Sequence, residues 1–400
     1  MAKVVKSIVR FNADRDPERL AMKYLKMRAS PFGFLRATCH LYYAQLPDAA
    51  VLRKAPAAWV CGDLHLENFG SYKGDNRLVH FDINDFDEGV LAPASWDLVR
   101  FLSSVMVGRK SLGVGAREAR ELCKLFVEAY ARALVDGKAR WIERETASGP
   151  VRELLESLRT RKRADLLAKR TVVKGRRRAL RVDGIKALAA SESQHDAVRQ
   201  LIAAFAKSQP DPAFYEVLDV ARRIAGNGSL GLDRFVILVR GRGEPDGHYL
   251  LDLKQTPASA LAGVTPLAQP PWADDSARVV SIQRRMQAIS AAFLRSLQMA
   301  GRPYILRDLQ PSEDRVELSV DRPQAGRTES LLSSMANCLA WAQLRSAGRN
   351  GSACADELID YGSKGKWRAP LIETACIAAT QAEADWTQFA QAYDDGVFSR

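Results

Sequence analysis

The segment Val60-Cys61-Gly62-Asp63-Leu64-His65-Leu66-Glu67-Asn68-Phe69-Gly70 carries the residue types that phosphoryl transfer uses. That reaction needs a carboxylate to orient the acceptor hydroxyl and a nearby oxygen ligand for magnesium. Asp63 and Asn68, five positions apart behind a short apolar run, supply one of each. His65 lies between them on the same candidate catalytic loop. A phosphotransferase would use it to brace the turn by hydrogen bonding and a metal-dependent hydrolase would use it as a ligand; the bracing role is the one expected. Seventeen residues after Asn68 comes Asp85, within Phe81-Asp82-Ile83-Asn84-Asp85-Phe86-Asp87-Glu88. A carboxylate leaving a strand there can hold magnesium between nucleotide phosphates, because that ion prefers hard oxygen ligands. Asp85 and Asn68 are the expected ligands, with Asp82 and Asp87 beside them. A single Asp–Asn pair has no weight, since turns are full of both; the clustering of acids beside an Asp/His/Asn loop carries the reading.

A second motif lies far downstream. Ile224-Ala225-Gly226-Asn227-Gly228-Ser229-Leu230-Gly231 is a GxGxxG. A dinucleotide-binding version should follow a strand and open a helix. Here the glycines enter an apolar run, Phe235–Arg240, and a hairpin returns to Asp252-Leu253-Lys254. A glycine loop inside a hairpin, with a lysine on the following strand, suits phosphates: backbone amides cover them and Lys254 neutralises their charge. Gly226, Asn227, Gly228, Ser229, Gly231 and Lys254 are therefore the expected nucleotide-binding residues.

These loops need elements to hold them. Residues 17–46 read as helical with a break at Ser30-Pro31, and 57–90 have strand-and-loop texture. Helical periodicity returns from Trp96 to about Val135, with Leu98, Phe101, Leu102 and Val105 on one face. A charge-rich helical section extends to about 205, and Gln209-Pro210-Asp211-Pro212 punctuates it. Beyond the hairpin, a helix is expected over Ala277–Gln298, then a strand pair over Tyr304–Leu309 and Arg315–Val320. Two helices, Leu331–Ser346 and Pro370–Tyr393, close the chain.

The pattern GDLHLEN followed by INDFD resembles the catalytic and metal loops of aminoglycoside and choline phosphotransferases, which are protein-kinase-like enzymes. Pro93-Ala94-Ser95-Trp96-Asp97-Leu98 resembles their Pro-x-x-x-Asp-Leu segment, which implies that Asp97 braces the catalytic loop. Cys61 departs from the pattern, standing where those enzymes have a histidine. In kinases the glycine loop and lysine precede the catalytic loop; here they follow it by more than 150 residues. The resemblance therefore implies a circularly permuted, two-lobed α+β kinase-like fold, since permutation joins termini that lie at the surface. The β-rich lobe would span 212–322, and the helical lobe would be assembled from 1–211 and 323–400. ATP and Mg2+ would sit between them, beside an unidentified hydroxyl acceptor. The chain also resembles a bacterial family known as domain of unknown function 2252, through Ser30-Pro31-Phe32-x-Phe34-Leu35-Arg36, the GDxHxENFG loop, FDxNDFDE and the glycine segment. One kinase part is missing. The helix expected after Lys254 offers Gln283 and Gln287 where a glutamate would pair the lysine, which leaves a pseudokinase or a slow enzyme open. An adenylyltransferase is open too, because kinase-like folds bind ATP in more than one orientation.

Asp63, His65, His80, Asp82 and Asp85 are also ligand types of a two-metal phosphoesterase, but no downstream GDxxD or GNH segment completes that set. The formal charge of +12 favours anionic partners. Much of it lies in Arg159–Arg181, with eleven Lys or Arg and one acid, Asp165. This stretch reads as a solvated helix and basic turn, with an acidic partner or nucleic acid as the alternative; it contains no aromatic residue on which bases could stack. Six scattered cysteines without CxxC spacing read as reduced and mostly buried. No apolar run is long enough for a membrane span and no secretory signal is evident, so a cytoplasmic protein is expected.

Overall fold

The computed structural model describes residues 2–398 except 176, 245, 311–315 and 317–325. The chain opens with α1 (Lys3–Phe11), α2 (Pro17–Ala29), α3 (Pro31–Ala37), α4 (Cys39–Ala44) and α5 (Ala50–Arg53). Ser30 breaks α2 from α3: its backbone is extended, its hydroxyl accepts the Gly33 N–H, and Pro31 occupies the first turn of α3, where a missing N–H costs nothing.

Next come β1 (Ala57–Val60), β2 (Phe69–Lys73), β3 (Val79–Ile83) and β4 (Val90–Pro93). β1 pairs antiparallel with β4, and β2 with β3. The chain leaves β1 at Cys61 and β3 at Asn84. The helices α6 (Ser95–Val107) and α7 (Ala116–Asp136) follow. The expected stripe of Leu98, Phe101, Leu102 and Val105 is wholly buried, and so is every other side chain of α6.

The charge-rich section holds more strand than its composition suggested. After β5 (Ile142–Glu143), which pairs with β3, come α8 (Gly149–Arg159) and α9 (Arg163–Arg170), then the hairpin β6 (Thr171–Lys174) and β7 (Arg177–Leu180). β-branched Thr171, Val172 and Val173 favour the pleated conformation, and Gly175 turns the chain at φ 61°. β8 (Ala187–Ala189) and α10 (Glu192–Ala206) then lead into β9 (Val217–Arg223), β10 (Arg234–Val239) and β11 (Tyr249–Gln255).

The helix expected over Ala277–Gln298 is shorter. α11 (Asp275–Met286) ends where Gln287 turns extended, and β12 (Arg295–Met299) takes the remaining residues. Ala300 and Gly301 both have positive φ, 49° and 72°. This two-residue turn matches strand twist and folds β12 back on β13 (Arg302–Asp308). β13 pairs with β12 and β11; its expected partner, Arg315–Val320, lies outside the described residues apart from Val316. Six antiparallel strands form one sheet in the order β12-β13-β11-β10-β9-β8. α10 packs Val198 and Ile202 on one face against Phe235, Ile237 and Leu251. On the other face Leu167 of α9 and Leu180 of β7 meet Val236, Leu238 and Leu250. β8 and α10 thus pack with the sheet although they precede the boundary expected at 212.

The chain finishes with α12 (Arg327–Ser346), α13 (Ala355–Ser363) and α14 (Arg368–Asp394). α12 packs on α7, and α14 packs on α6, α2 and α1, so helices from both ends of the chain share one block. The fold is mixed α+β. Among the described residues no helix is long and apolar enough to cross a membrane. All six cysteines are unpaired thiols, four of them buried.

Candidate functional site

β1 delivers the chain to Cys61 and Gly62. Gly62 has φ 82°, and a Cβ there would lie 2.5 Å from the Glu88 carbonyl oxygen; only glycine fits. The N–H groups of Cys61 and Gly62 donate to Asp97 Oδ2 and Oδ1, each at 2.9 Å. The Cys61 thiol reaches the same carboxylate at 3.6 Å. Burial raises the Asp97 pKa to about 6, with these bonds pulling the other way. Asp63 is pinned from the next turn of α6. Arg100 Nε and Nη2 donate to Asp63 Oδ1 at 3.0 and 2.7 Å, and Nη2 also donates to the Leu35 carbonyl at 2.6 Å. Both bonds to Asp63 fall on Oδ1, which leaves Oδ2 to the cleft that Asp63 lines. Burial lifts the Asp63 pKa and Arg100 opposes that lift. His65 braces the loop: its Nδ1 accepts the Glu67 N–H at 3.1 Å, and its ring meets Phe32 edge-on.

Asn68 ties this loop to the second strand exit. Its Nδ2 donates to the carbonyls of Asp63, at 3.0 Å, and Asp85, at 3.3 Å. That orientation directs Oδ1 away from both carbonyls, and Oδ1 is a buried acceptor without a hydrogen-bond donor. An orphaned buried oxygen is costly unless something fills the role. Beyond β3, Asp85 and Asp87 face Lys254 of β11. Lys254 Nζ lies 3.7 Å from Asp85 Oδ2 and forms an ion pair with Asp87. Burial pushes both carboxylates up; Lys254 and Arg307 outweigh it at Asp85 and hold that pKa below the usual value. The charge on Asp85 adds to burial at Asp87, whose pKa is raised. Behind Lys254 on the same sheet face, Asp252 is surrounded by Arg223, Arg234 and Arg307. Burial opposes its charge, yet the three arginines hold its pKa well below normal, and the group keeps a surplus of positive charge beside the acids.

The glycine segment joins β9 to β10 without a helix, so it is a hairpin loop. Gly226 has φ 74°, as a tight turn demands. The N-terminal helices hold this loop. Arg15 Nη1 donates to the carbonyls of Gly228, at 2.6 Å, and Leu230, at 2.7 Å. Lys23 Nζ donates to Gly228 O at 3.1 Å, and Asn227 Nδ2 to Gly33 O at 2.6 Å. Arg36 forms an ion pair with Glu67 at 2.6 Å, so the segment Ser30–Arg36 touches both the glycine loop and the Asp63–Asn68 loop.

The two loops enclose a cleft of about 680 Å3, lined by Gly226–Ser229 on one wall and by Asp63, His65, Asn68, Asp85 and Asp87 on the other. Lys254 does not itself line the cleft; it is buried behind the acid wall, paired with Asp85 and Asp87. Two expected residues lie elsewhere. Gly231 packs on Arg15 and accepts the Asp16 N–H through its carbonyl. Asp82, on β3, faces Arg345 and caps the Ile83 N–H; strand alternation turns it away from the cleft. Sequence reasoning missed Arg15, Lys23, Arg36, Arg100 and Glu88. The Ser30–Arg36 motif and the Glu88 that ends the acid run were visible but had no role assigned. Glu88 lines the cleft, accepts from Ala260 N–H at 2.7 Å and Ser259 Oγ at 3.0 Å, and burial raises its pKa to about 7. Asn68 Oδ1, Asp85 and Asp87 fit a magnesium ion by donor type, with an amide oxygen and two carboxylates at one cleft wall. Among the described residues no group of three or more His, Cys, Asp and Glu forms a metal cage, and His80 is engaged with Asn76.

A family model described as "Uncharacterized protein conserved in bacteria (DUF2252)" matches residues 15–392. No curated protein and no solved structure matches the chain.

Proposed function

The chain belongs to this DUF2252 family, and we propose that within it the protein is an ATP- and magnesium-dependent phosphotransferase of kinase-like type with its lobes in permuted order. One observation carries the reading: Lys254, on the strand after the glycine hairpin, pairs with Asp85 and Asp87 of the cleft wall although the two segments are remote in sequence. ATP must touch both sets, since glycine amides and a lysine grip phosphates while acids hold the metal. The sheet supports it as well. The glycine loop lies in the first hairpin, the lysine on the next strand, and a single helix, α11, follows.

In this reading Asn68, Asp85 and Asp87 would hold the magnesium. Bound there, that ion would neutralise phosphate charge, and Lys254 would exchange its acids for phosphate oxygens. Asp63 Oδ2 accepts the proton of the acceptor hydroxyl. The hydroxyl oxygen bonds to the γ-phosphorus, the bond from that phosphorus to the bridging oxygen breaks, and ADP leaves. Arg100 keeps Asp63 aimed and opposes the lift that burial gives its pKa. Asp63→Asn tests the assignment: it should keep ATP affinity and lose turnover by something like 10²–10⁴-fold. Equal loss of binding and turnover would make Asp63 a metal ligand instead.

A second reading, nucleotide binding without turnover, draws on α11. Gln283 bonds Gln287, and Gln287 bonds the Ile83 carbonyl, so neither glutamine pairs with Lys254 through those groups. A sensor of this kind would bind ATP and leave γ-labelled phosphate untransferred with every acceptor tried. The two-metal hydrolase draws no support from the geometry, because Asp82 faces Arg345 and His80 is engaged with Asn76.

A further inference from the structure

We propose that a basic groove on a different part of the molecule from the cleft binds single-stranded nucleic acid. Two cavities of about 650 and 980 Å3 share Tyr215 and His248 in their walls, and none of their lining residues lines the cleft. Seven Lys and Arg line the first, among them Arg161, Lys162, Arg163 and Arg242, against Asp75 and Asp308. Five line the second, including Arg178, Arg199 and Lys207, against Glu216 and Glu244. Twelve cations against four acids make this a polyanion surface rather than a mixed one.

The basic stretch at 159–181 contains no aromatic residue, but folding brings aromatics to it from elsewhere. Tyr249, Phe293, Phe205 and Tyr215 line the first cavity and are only partly buried. Arg163 already stacks on Tyr249, 3.8 Å from the ring centroid. A charged groove with interleaved rings is how strands without sequence preference are held, phosphates on the cations and bases on the rings. Two further observations point to a ligand. Arg77 and Phe293, two of the four described non-glycine residues with positive φ, at 69° and 61°, both line the first cavity; such outliers concentrate at functional sites. In the wall common to both cavities, His248 is 3% exposed and its Nδ1 is a buried nitrogen without a hydrogen-bond partner. The continuity of the two cavities favours a strand of several nucleotides over a single nucleotide.

The test is fluorescence anisotropy of the full chain with a labelled oligodeoxythymidine of about 12 nucleotides, within the range of single-strand site sizes. Binding should weaken with salt, and Arg242→Gln with Lys207→Gln, one exposed cation from each cavity, should reduce the slope of log K against log salt by about 1.4, at about 0.7 per phosphate contact. The same double variant should lose on the order of tenfold in affinity, and an abasic strand of equal length should bind on the order of tenfold more weakly than the thymidine strand. Lys3→Gln with Lys6→Gln on α1, which line neither cavity, should change little. The proposal is overturned if the oligonucleotide does not bind at low salt, or if the α1 variant loses as much as the groove variant. Displacement by AMP at the same concentration of phosphate would also overturn it, making this a small-anion site. So would equal binding of the abasic strand, which would make it a surface for any polyanion, acidic proteins included.

Discussion

At the scale of single residues, the cleft acids differ in what holds their charge, and that separates their roles. Asp85 is kept ionised by Lys254 and Arg307 and stands half exposed in the cleft, as the proposed role of metal ligand requires. Asp85→Ala should abolish magnesium-dependent ATP binding, read by calorimetry, while leaving the ligand-free melting temperature nearly unchanged, because Lys254 keeps Asp87. Unaltered binding would move the metal to Asp87 and Asn68. Glu88 behaves oppositely. Its pKa of about 7 lies above the ordinary 4.5, so the folded state binds the proton more tightly than the unfolded chain does. Its contribution to stability is therefore full below about pH 4.5 and is lost as pH rises through 7. Thermal melts should fall over that window, and Glu88→Gln should flatten the fall by roughly 1–2 kcal/mol. An unchanged pH profile in the variant would place the titration elsewhere, Asp97 being the next candidate.

At the scale of elements, α6 is the part that makes the proposed catalytic loop, Cys61–Asn68, rigid. Asp97 and Arg100, three residues apart on its buried face, hold the Cys61 and Gly62 amides and the Asp63 carboxylate respectively. Asp97→Ala leaves two buried N–H groups without an acceptor, at about 1–3 kcal/mol each. Chemical denaturation should show a loss of that order, together with loss of activity; a fall in activity alone would mean that the loop survives without its brace. The glycine loop has a different kind of support. Its carbonyls are held by Arg15 and Lys23 from α2 and the turn before it, so Arg15→Ala should raise the KM for ATP more than it lowers kcat. Equal effects on both would place Arg15 in the transferring step.

At the scale of the whole molecule, the two ends of the chain lie together. α14 packs on α1 and α2, Arg28 pairs with Asp394 at 2.8 Å, and Tyr24 meets Phe398. The sheet with its glycine loop is inserted between the two halves of that helical block. A rearranged chain that begins near Gln209, with residues 398 and 2 joined by a flexible linker of about ten Gly and Ser residues, would run glycine loop, lysine, catalytic loop and metal loop in ordinary kinase order. It should fold to the same far-ultraviolet spectrum and keep nucleotide binding within a few-fold. A rearranged chain that folds but does not bind would show that the connection near 209 belongs to the site.

What the sequence determined by itself was local. The acid-bearing loops, the turn glycines, the break at Ser30-Pro31, the buried stripe of α6 and the hairpin β10–β11 all follow from short-range patterns, since apolar periodicity and turn chemistry act within a few residues. The pairing of β12 with β13 escaped that reading, because a two-residue turn at Ala300-Gly301 overrode a helical period. The meeting of Lys254 with Asp85 is what the kinase-like resemblance implies. Tertiary structure alone decided the others: Arg100 with Asp63, Arg15 and Lys23 with the glycine carbonyls, and aromatic rings with the basic stretch at 161–163. None of these contacts leaves a mark in composition or spacing. An ion pair depends on where two surfaces come to rest, and burial of the apolar faces, not the charges themselves, sets that position.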